Sequence, residues 1–238
     1  MSPAVDTEKK VNDSDYTEKL NDFIQKNRRI ILAGFAAVIV ILAIFIVTIT
    51  VKDRIQAKAL TALDDFSRRY DKLKADSQGI TAENNSKLDE TAGLLEDLLE
   101  ELNTFAAKSS GFAAARAYSL AASIQWDLKN LPEAEAAWLE SARIAAKNYL
   151  GPVSLYNAAV AAEEQGNIEA AISHYSRALE YGNAFPSAAR AQFSIGRLEE
   201  SRNKKEAALE AYRKLIGTWP NDPVWSNLAQ NRILALQD

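Results

Sequence analysis

The chain of 238 residues has no cysteine and a single histidine. Without cysteine there is no disulfide, no thiolate nucleophile and no cysteine-based zinc site; one histidine cannot supply a typical zinc centre or a Cys–His pair. No glycine-rich loop of the phosphate-cradling kind is present. Ser201-x-x-Lys204 has the Ser-x-x-Lys spacing, but it spans an inter-helix turn with no supporting motif. His174 falls mid-helix, just before an aromatic position, where a surface or groove-edge histidine is expected. Catalysis, a cofactor, a metal and a small-molecule substrate are therefore not expected. The net charge of −4, with no dense Lys/Arg face, argues against a nucleic-acid partner. Proline (6) and glycine (9) are few, and strand-like alternation is scarce after residue 52. Ala, Leu, Glu, Lys and Gln dominate there, which favours helix.

What is present first is one apolar run. Ile30 to Val51 contains no charge, Pro, Asn or Gln. At ~1.5 Å rise per residue it reaches roughly 33 Å, enough for a hydrocarbon core of about 30 Å. Fifteen of its residues are Ile, Leu, Val or Phe, worth roughly −5 to −9 kcal/mol of insertion free energy as an upper figure. A buried core helix rarely stays apolar on every face for so long. A cleavable signal peptide has a shorter apolar region of about 7–15 residues and an Ala-x-Ala-like site, whereas this run ends in "TITVKD". A retained single span in lipid is expected.

Residues 1–29 form a polar tail. From Ser14 it becomes amphipathic, with Tyr16, Leu20, Phe23 and Ile24 on one helical stripe ending in "KNRR". This is either a juxtamembrane helix that docks on a partner or lipid, or a plain extension of the span. Lys26, Arg28 and Arg29 precede the span while Lys52, Arg54 and Lys58 follow it, so the positive-inside rule gives a tie on orientation. Residues 52–112 read as linking helices. One has Ile55, Leu60, Leu63, Phe66 and Tyr70 near helical spacing. After the break "DSQGITAENNS", a second has Leu88, Leu95, Leu98, Leu99, Leu102 and Phe105 on its apolar face and a largely acidic opposite face, either solvated or open to a basic partner.

Residues 113–221 repeat. "KNLPEAEAAWLESA", "GNIEAAISHYSRAL" and "NKKEAALEAYRKLI" place Ala134, Ala171 and Ala208 at intervals of 37, and likewise Trp138, Tyr175 and Tyr212. Before each block lies a helix with small residues, "AYSLAAS", "YNAAVAA" and "FSIGRLE". The pattern resembles the tetratricopeptide repeat, a helix-turn-helix unit of about 34 residues. In the middle copy Ala158-Ala159 takes the Leu-Gly place, Gly166 the turn, Ala171 and Ala178 the small contacts and Tyr175 the aromatic. The third copy adds Ile195-Gly196 and the closing Pro220. The first departs, with Lys129 at the turn and Ser141 at the second small position. Its first helix aligns in two ways, one residue apart. The small and aromatic positions are expected to be packing positions. Asn130 with Glu133 looks like a capping box for the first copy's second helix, with Pro132 in its first turn. Asp222-Pro223 opens a capping helix, 222–238, whose apolar face is expected to cover the end of the stack.

The expected fold is all-α: an N-terminal transmembrane helix (30–51), then a tetratricopeptide-like α-solenoid of about three helix-turn-helix repeats plus flanking helices. In this family the first helices line a concave groove. The resemblance puts Val153, Tyr156, Val160 and Glu163 there from the middle copy, Arg190, Phe193, Arg197 and Glu200 from the third, and either Tyr118 or Trp126 from the first. The mixture suits an extended, partly apolar polypeptide better than a clamp for terminal carboxylates. A tail, one span, linking helices and a compact repeat domain together resemble the bacterial single-pass proteins that accompany the Sec translocon as ancillary subunits and periplasmic chaperones. That resemblance implies a cytoplasmic N-terminus in the inner membrane, a periplasmic repeat domain, and as partners the Sec channel, other periplasmic chaperones and unfolded clients. The alternative is a membrane-tethered structural scaffold organising an envelope complex without client binding.

Overall fold

The computed structural model describes residues 13–77 and 85–237, and the regular elements among them are all helical. Residues 1–12 of the polar tail, 78–84 of the break before the second linking helix, and the side chain of Leu88 lie outside the described residues. The chain divides into two units, Met1–Ile55 and Gln56–Asp238.

The first unit is carried by the leading part of α1 (Asp13–Ser77). Its apolar window has a mean hydropathy of 3.3 and none of it is buried, so by length and composition this helix can cross a membrane. Thr48 and Thr50, the polar side chains in the run, donate their hydroxyls to the carbonyls of Ile44 and Ile46 at 2.7 and 2.9 Å. Each is thereby satisfied by its own helix, the condition for a hydroxyl in hydrocarbon. The stripe Tyr16, Leu20, Phe23 and Ile24 is exposed and belongs to the same continuous helix.

The second unit begins with the end of α1 and continues through α2 (Asn85–Lys108), α3 (Gly111–Asp127), α4 (Leu131–Ile144), α5 (Leu150–Glu164), α6 (Ile168–Leu179), α7 (Ala188–Ser201), α8 (Lys205–Thr218) and α9 (Trp225–Gln237). Leu63 and Tyr70 of α1 are buried with Leu95, Leu98, Leu99 and Leu102 of α2 and with alanines of α3, which makes the linking region one core. The pairs α3/α4, α5/α6 and α7/α8 are the three repeats. Ala134, Ala171 and Ala208 are fully buried, and Trp138, Tyr175 and Tyr212 are 5%, 1% and 0% exposed. Each aromatic reaches the first helix of the next pair. Trp138 meets Ala158 and Ala161, Tyr175 sits in a cluster with Ala191 and Leu198, and Tyr212 meets Ala229 and Ile233 of α9.

The departures in the first copy have local physical reasons. Ser141 is fully buried, and its hydroxyl is hydrogen-bonded to that of buried Ser154 on α5 at 2.9 Å. A polar pair thus replaces an alanine contact without an orphaned group. Lys129 adopts φ +65°, the left-handed conformation that Gly166 (φ +76°) and Asn203 (φ +58°) adopt at the same place in the other copies. A lysine tolerates that conformation at a cost of about 1–2 kcal/mol that glycine avoids.

Two expectations at helix starts need correction. Asn130 precedes α4, but its side chain makes no cap; its amide donates instead to the side chain of Gln125 at 2.9 Å, so the capping box with Glu133 does not form. The side-chain cap occurs one repeat later, where Asn167 Oδ1 accepts from the Ala170 amide. The last helix starts at Trp225 rather than at Asp222-Pro223, and Asp222 Oδ1 accepts from the amides of Val224 and Trp225 at 3.1 and 3.0 Å. One face of α9, with Ala229 and Ile233, covers the end of the third repeat, while Val224, Leu228 and Leu234 are exposed.

Gly196 is the tightest helix contact of the third repeat. A Cβ there would lie 2.5–2.9 Å from Cε1, Cδ1 and Cζ of Tyr212, a ring with no exposed surface. Gly196→Ala is therefore expected to destabilise the fold by about 2–3 kcal/mol, the upper range for overpacking a closed core. Chemical denaturation followed by circular dichroism checks this, and an unchanged midpoint would contradict the packing described.

Candidate functional site

Two depressions are lined in part by the first helices of the repeats. The first, about 350 Å³, is lined by Trp126 of α3, Trp138 of α4, Tyr156, Asn157 and Val160 of α5, Arg190 of α7 and, from the linking region, Tyr70 and Lys74. The second, about 430 Å³, is lined by Phe193, Arg197, Glu200 and Ser201 of α7, Tyr212 of α8 and Arg232 of α9. Of the residues expected in the groove, Trp126, Tyr156, Val160 and Arg190 lie in the first depression and Phe193, Arg197 and Glu200 in the second. Glu163 stands between copies, ion-paired to Arg197. Val153 is half-buried on α5 outside both. Tyr118 lines a different depression with Glu140 and Arg143. At the 37-residue interval Trp126 is in register with Glu163 and Glu200.

That register carries a repeated device. In the middle copy the Tyr175 hydroxyl donates to Glu163 at 3.4 Å, and Arg197 of the next first helix donates to the same carboxylate at 2.5 Å. In the third copy the Tyr212 hydroxyl donates to Glu200 at 3.0 Å, and Arg232 of α9 binds both oxygens of that carboxylate. The carboxylates of the groove are thus already compensated by the protein. In the first copy the same positions are Trp126, Trp138 and Val160. The ion ladder is replaced by two indoles, 5.9 Å apart between ring centroids and tilted by 53°, and an aliphatic side chain. The Nε1 of Trp138 is buried with no hydrogen-bond partner among the described residues.

Aromatic contacts continue along the groove. Tyr156 stacks edge-on against Tyr175 at 5.2 Å and meets Phe185 at 6.0 Å, and Phe193 meets both Tyr212 and Trp225 at 5.4 Å. Arg190 of the first depression has its guanidinium 5.5 Å from the Tyr156 ring and 6.0 Å from that of Trp225. The far wall of the first depression is Tyr70, whose hydroxyl donates to Asp127 at 2.6 Å while Lys74 binds the same carboxylate at 2.9 Å. Sequence reasoning missed this wall and the ladder. The ladder had a signal, a Glu twelve residues before each repeat tyrosine; the wall had none.

The residues screened for chemistry are placed as follows. Ser201 donates to the carbonyl of Leu198 and Lys204 lies near Glu199, so the two do not form a dyad. His174 is buried rather than at the surface, because Glu135 of the preceding helix pair takes its Nε2 at 2.9 Å and shields it. Among the described residues no cluster of three metal-ligating side chains occurs.

The fold is a tetratricopeptide-like α-solenoid, the architecture of a protein-interaction scaffold. Residues 156–223 match the tetratricopeptide repeat family. The chain is 28% identical to a TPR repeat-containing protein of Treponema pallidum (strain Nichols) over 224 residues, 92% of this chain and 93% of that protein. Among solved structures it is similar to the nearly identical TPR-like repeats of a Podosopora anserina protein, with TM-score 0.51 and 14% identity over 72% of this chain and 86% of that one. A point variant of those repeats gives TM-score 0.52 and 15% identity over 72% and 85%. At such identities the likeness to the solved structures is one of fold.

Burial pushes the Tyr70 and Tyr212 hydroxyls up to about 12, and Tyr175 in the same direction. In the unfolded chain a tyrosine ionises near pH ~10. Below that both states are neutral and the contribution is intact; above it the unfolded state sheds protons that the folded state keeps, so stability falls. Melting temperature is expected to hold up to about pH 10 and to drop between about pH 10 and 12, with a shallower drop in Tyr70→Phe. A Tyr70→Phe profile superimposable on the native one would contradict the assignment.

Proposed function

We propose that this chain is a membrane-tethered interaction protein whose groove receives extended, partly apolar polypeptide. The observation that carries the reading is the first depression, which sets the rings of Tyr70, Trp126, Trp138 and Tyr156 beside Arg190, a guanidinium without an ion pair among the described residues, where the ion ladder of the other repeats is interrupted. Its tether is the apolar run of α1. The finer reading is an ancillary subunit of the Sec channel in the bacterial inner membrane. Its N-terminus is cytoplasmic and its repeat domain faces the periplasm, where it attends emerging or unfolded chains and meets other chaperones. The order of tail, span, linking helices and repeats supports this, as does the groove's fit to unfolded chain rather than to a fixed charged tail.

The full chain in detergent is expected to slow aggregation of a chemically denatured client, and Val160→Asp with Arg190→Asp to weaken that capture about tenfold, the loss of one modest hot spot. Helicity should be unchanged, since neither side chain is fully buried. Aggregation that proceeds at the same rate with and without the protein would leave the scaffold reading instead. Tyr156→Ala and Phe193→Ala serve less well as probes, because both rings pack on buried tyrosines and truncation would cost several kcal/mol of stability (~3–5).

Topology has a separate test. Single cysteines replacing Ser2 and Ser187 in the cysteine-free chain are expected to show labelling at 187 alone with an impermeant thiol reagent on intact spheroplasts. Labelling at 2 alone would put the repeats in the cytoplasm and end the Sec reading.

A further inference from the structure

We infer that the first depression is a side-chain pocket that selects a bulky apolar or aromatic residue adjacent to an acidic one in an extended peptide. The inference rests on the groove reading and narrows it. Three observations carry it. Positions 126, 138 and 160 are the 37-residue counterparts of 163, 175 and 197, where the other copy holds a Glu that accepts from a Tyr and an Arg. A charge-bearing triad is thus exchanged for Trp126, Trp138 and Val160, which with Tyr156 give the depression an apolar floor, its remaining lining including the polar Ser123 and Asn157. The charge of the rim is also unbalanced. Lys74 and Asp127 neutralise each other at 2.9 Å, whereas Arg190 is exposed and, among the described residues, has no carboxylate within ion-pair distance. A ligand matching this pocket therefore brings apolar area for the floor and one carboxylate for Arg190.

The two demands fall on neighbouring residues because Arg190 lies directly over the ring of Tyr156, 5.5 Å from its centroid, at the edge of the same floor. Side chains of an extended peptide alternate in direction at ~3.3 Å per residue, so an apolar side chain directed at the floor leaves its neighbour on the rim side. The second depression does not make the same offer. Its carboxylate, Glu200, is bonded to Arg232, and its other guanidinium, Arg197, is paired with Glu163, so a ligand charge there would have to displace an existing partner. Selection is thus confined to the first-repeat end of the groove.

The test uses the full chain in detergent micelles and dye-labelled acetyl-Gly-Ser-Phe-Glu-Gly-Ser-amide, read by fluorescence anisotropy, beside analogues with Ala for Phe and with Lys for Glu. The Phe-Glu probe is expected to bind about tenfold more tightly than either analogue. Rebuilding the ladder with Trp126→Glu, Trp138→Tyr and Val160→Arg together is expected to abolish that preference while keeping the helical signal, since this is the set the middle copy folds with. Arg190→Glu is expected to reverse it toward the Phe-Lys analogue, and it stands alone should the triple variant lose its helicity. Equal binding of the three peptides, or a Phe-Glu preference that survives both the ladder and Arg190→Glu, overturns the pocket. Client capture that persists in either case keeps the groove reading and removes only its narrowing; capture absent throughout removes both.

Discussion

The structure turns on how closely one helix pair can approach the next, and a single aromatic per repeat sets that distance. Trp138, Tyr175 and Tyr212 stand on α4, α6 and α8 with their rings against small residues of the following first helix. Within the third pair the same ring sets the spacing as well, since Gly196 of α7 leaves no room for a Cβ over Tyr212 of α8. Burying a ring of this size removes about 150–250 Å² from water and dominates the local energetics, so the ring dictates the spacing and the polar groups adapt to it. The hydroxyls of Tyr175 and Tyr212 emerge at the groove, where Glu163 and Glu200 accept them. One residue therefore serves the core with its ring and the groove with its hydroxyl, and its identity decides whether the groove at that repeat is ionic or apolar.

Magnitudes decide what the ion ladder is for. Arg197 and Arg232 are each about half-exposed (46%), and ion pairs of that exposure contribute about 0–1 kcal/mol. Against the several kcal/mol of a buried aromatic they hardly affect stability. They do fill space and cancel charge, which closes the third-repeat end of the groove to a charged ligand. The first repeat, with Trp138 in place of a tyrosine, has no hydroxyl to offer a carboxylate, and Trp126 occupies the carboxylate's position. Exchange of the aromatic and of its partner are thus two sides of one change, and they open the groove where the ladder stops.

The helix pairs and their packing positions were legible because the contacts that define them recur at a fixed interval in residues with few roles: buried alanine, glycine and aromatic. What escaped was everything that depends on a competitor elsewhere in the chain. Asn130 has the right neighbours for a capping box, yet Gln125 on the preceding turn captures its amide. His174 looks exposed on its own helix, yet Glu135, 39 residues earlier, reaches over it. Tyr156, Val160, Arg190, Phe193, Arg197 and Glu200, which line the two depressions, stand at positions the repeat register singles out, whereas Val153 does not line either. Tyr70 and Lys74, which wall the groove, come from outside the repeats and share no spacing with them. Long-range polar pairing is invisible to periodicity unless it recurs, and only the ladder recurs.

That wall is what joins the linking helices to the site. Within the second unit the end of α1 is tied at successive heights: Gln56 donates to the carbonyl of Ser110 at 2.7 Å, Arg69 makes a two-pronged pair with Glu101, and Tyr70 and Lys74 converge on Asp127. The first two ties are largely exposed, so their net worth is small; the burial of Leu63 and Tyr70, 1% and 8% exposed, supplies about 1.5–3 kcal/mol per side chain. The apolar contacts hold the helix against α2 and α3, and the polar ones fix its rotation and height. With its rotation fixed, the Tyr70 hydroxyl is held on Asp127, a carboxylate that Lys74 engages at the same time. The polar lining of the first depression therefore depends on how the linking helix is docked, not on the repeats alone.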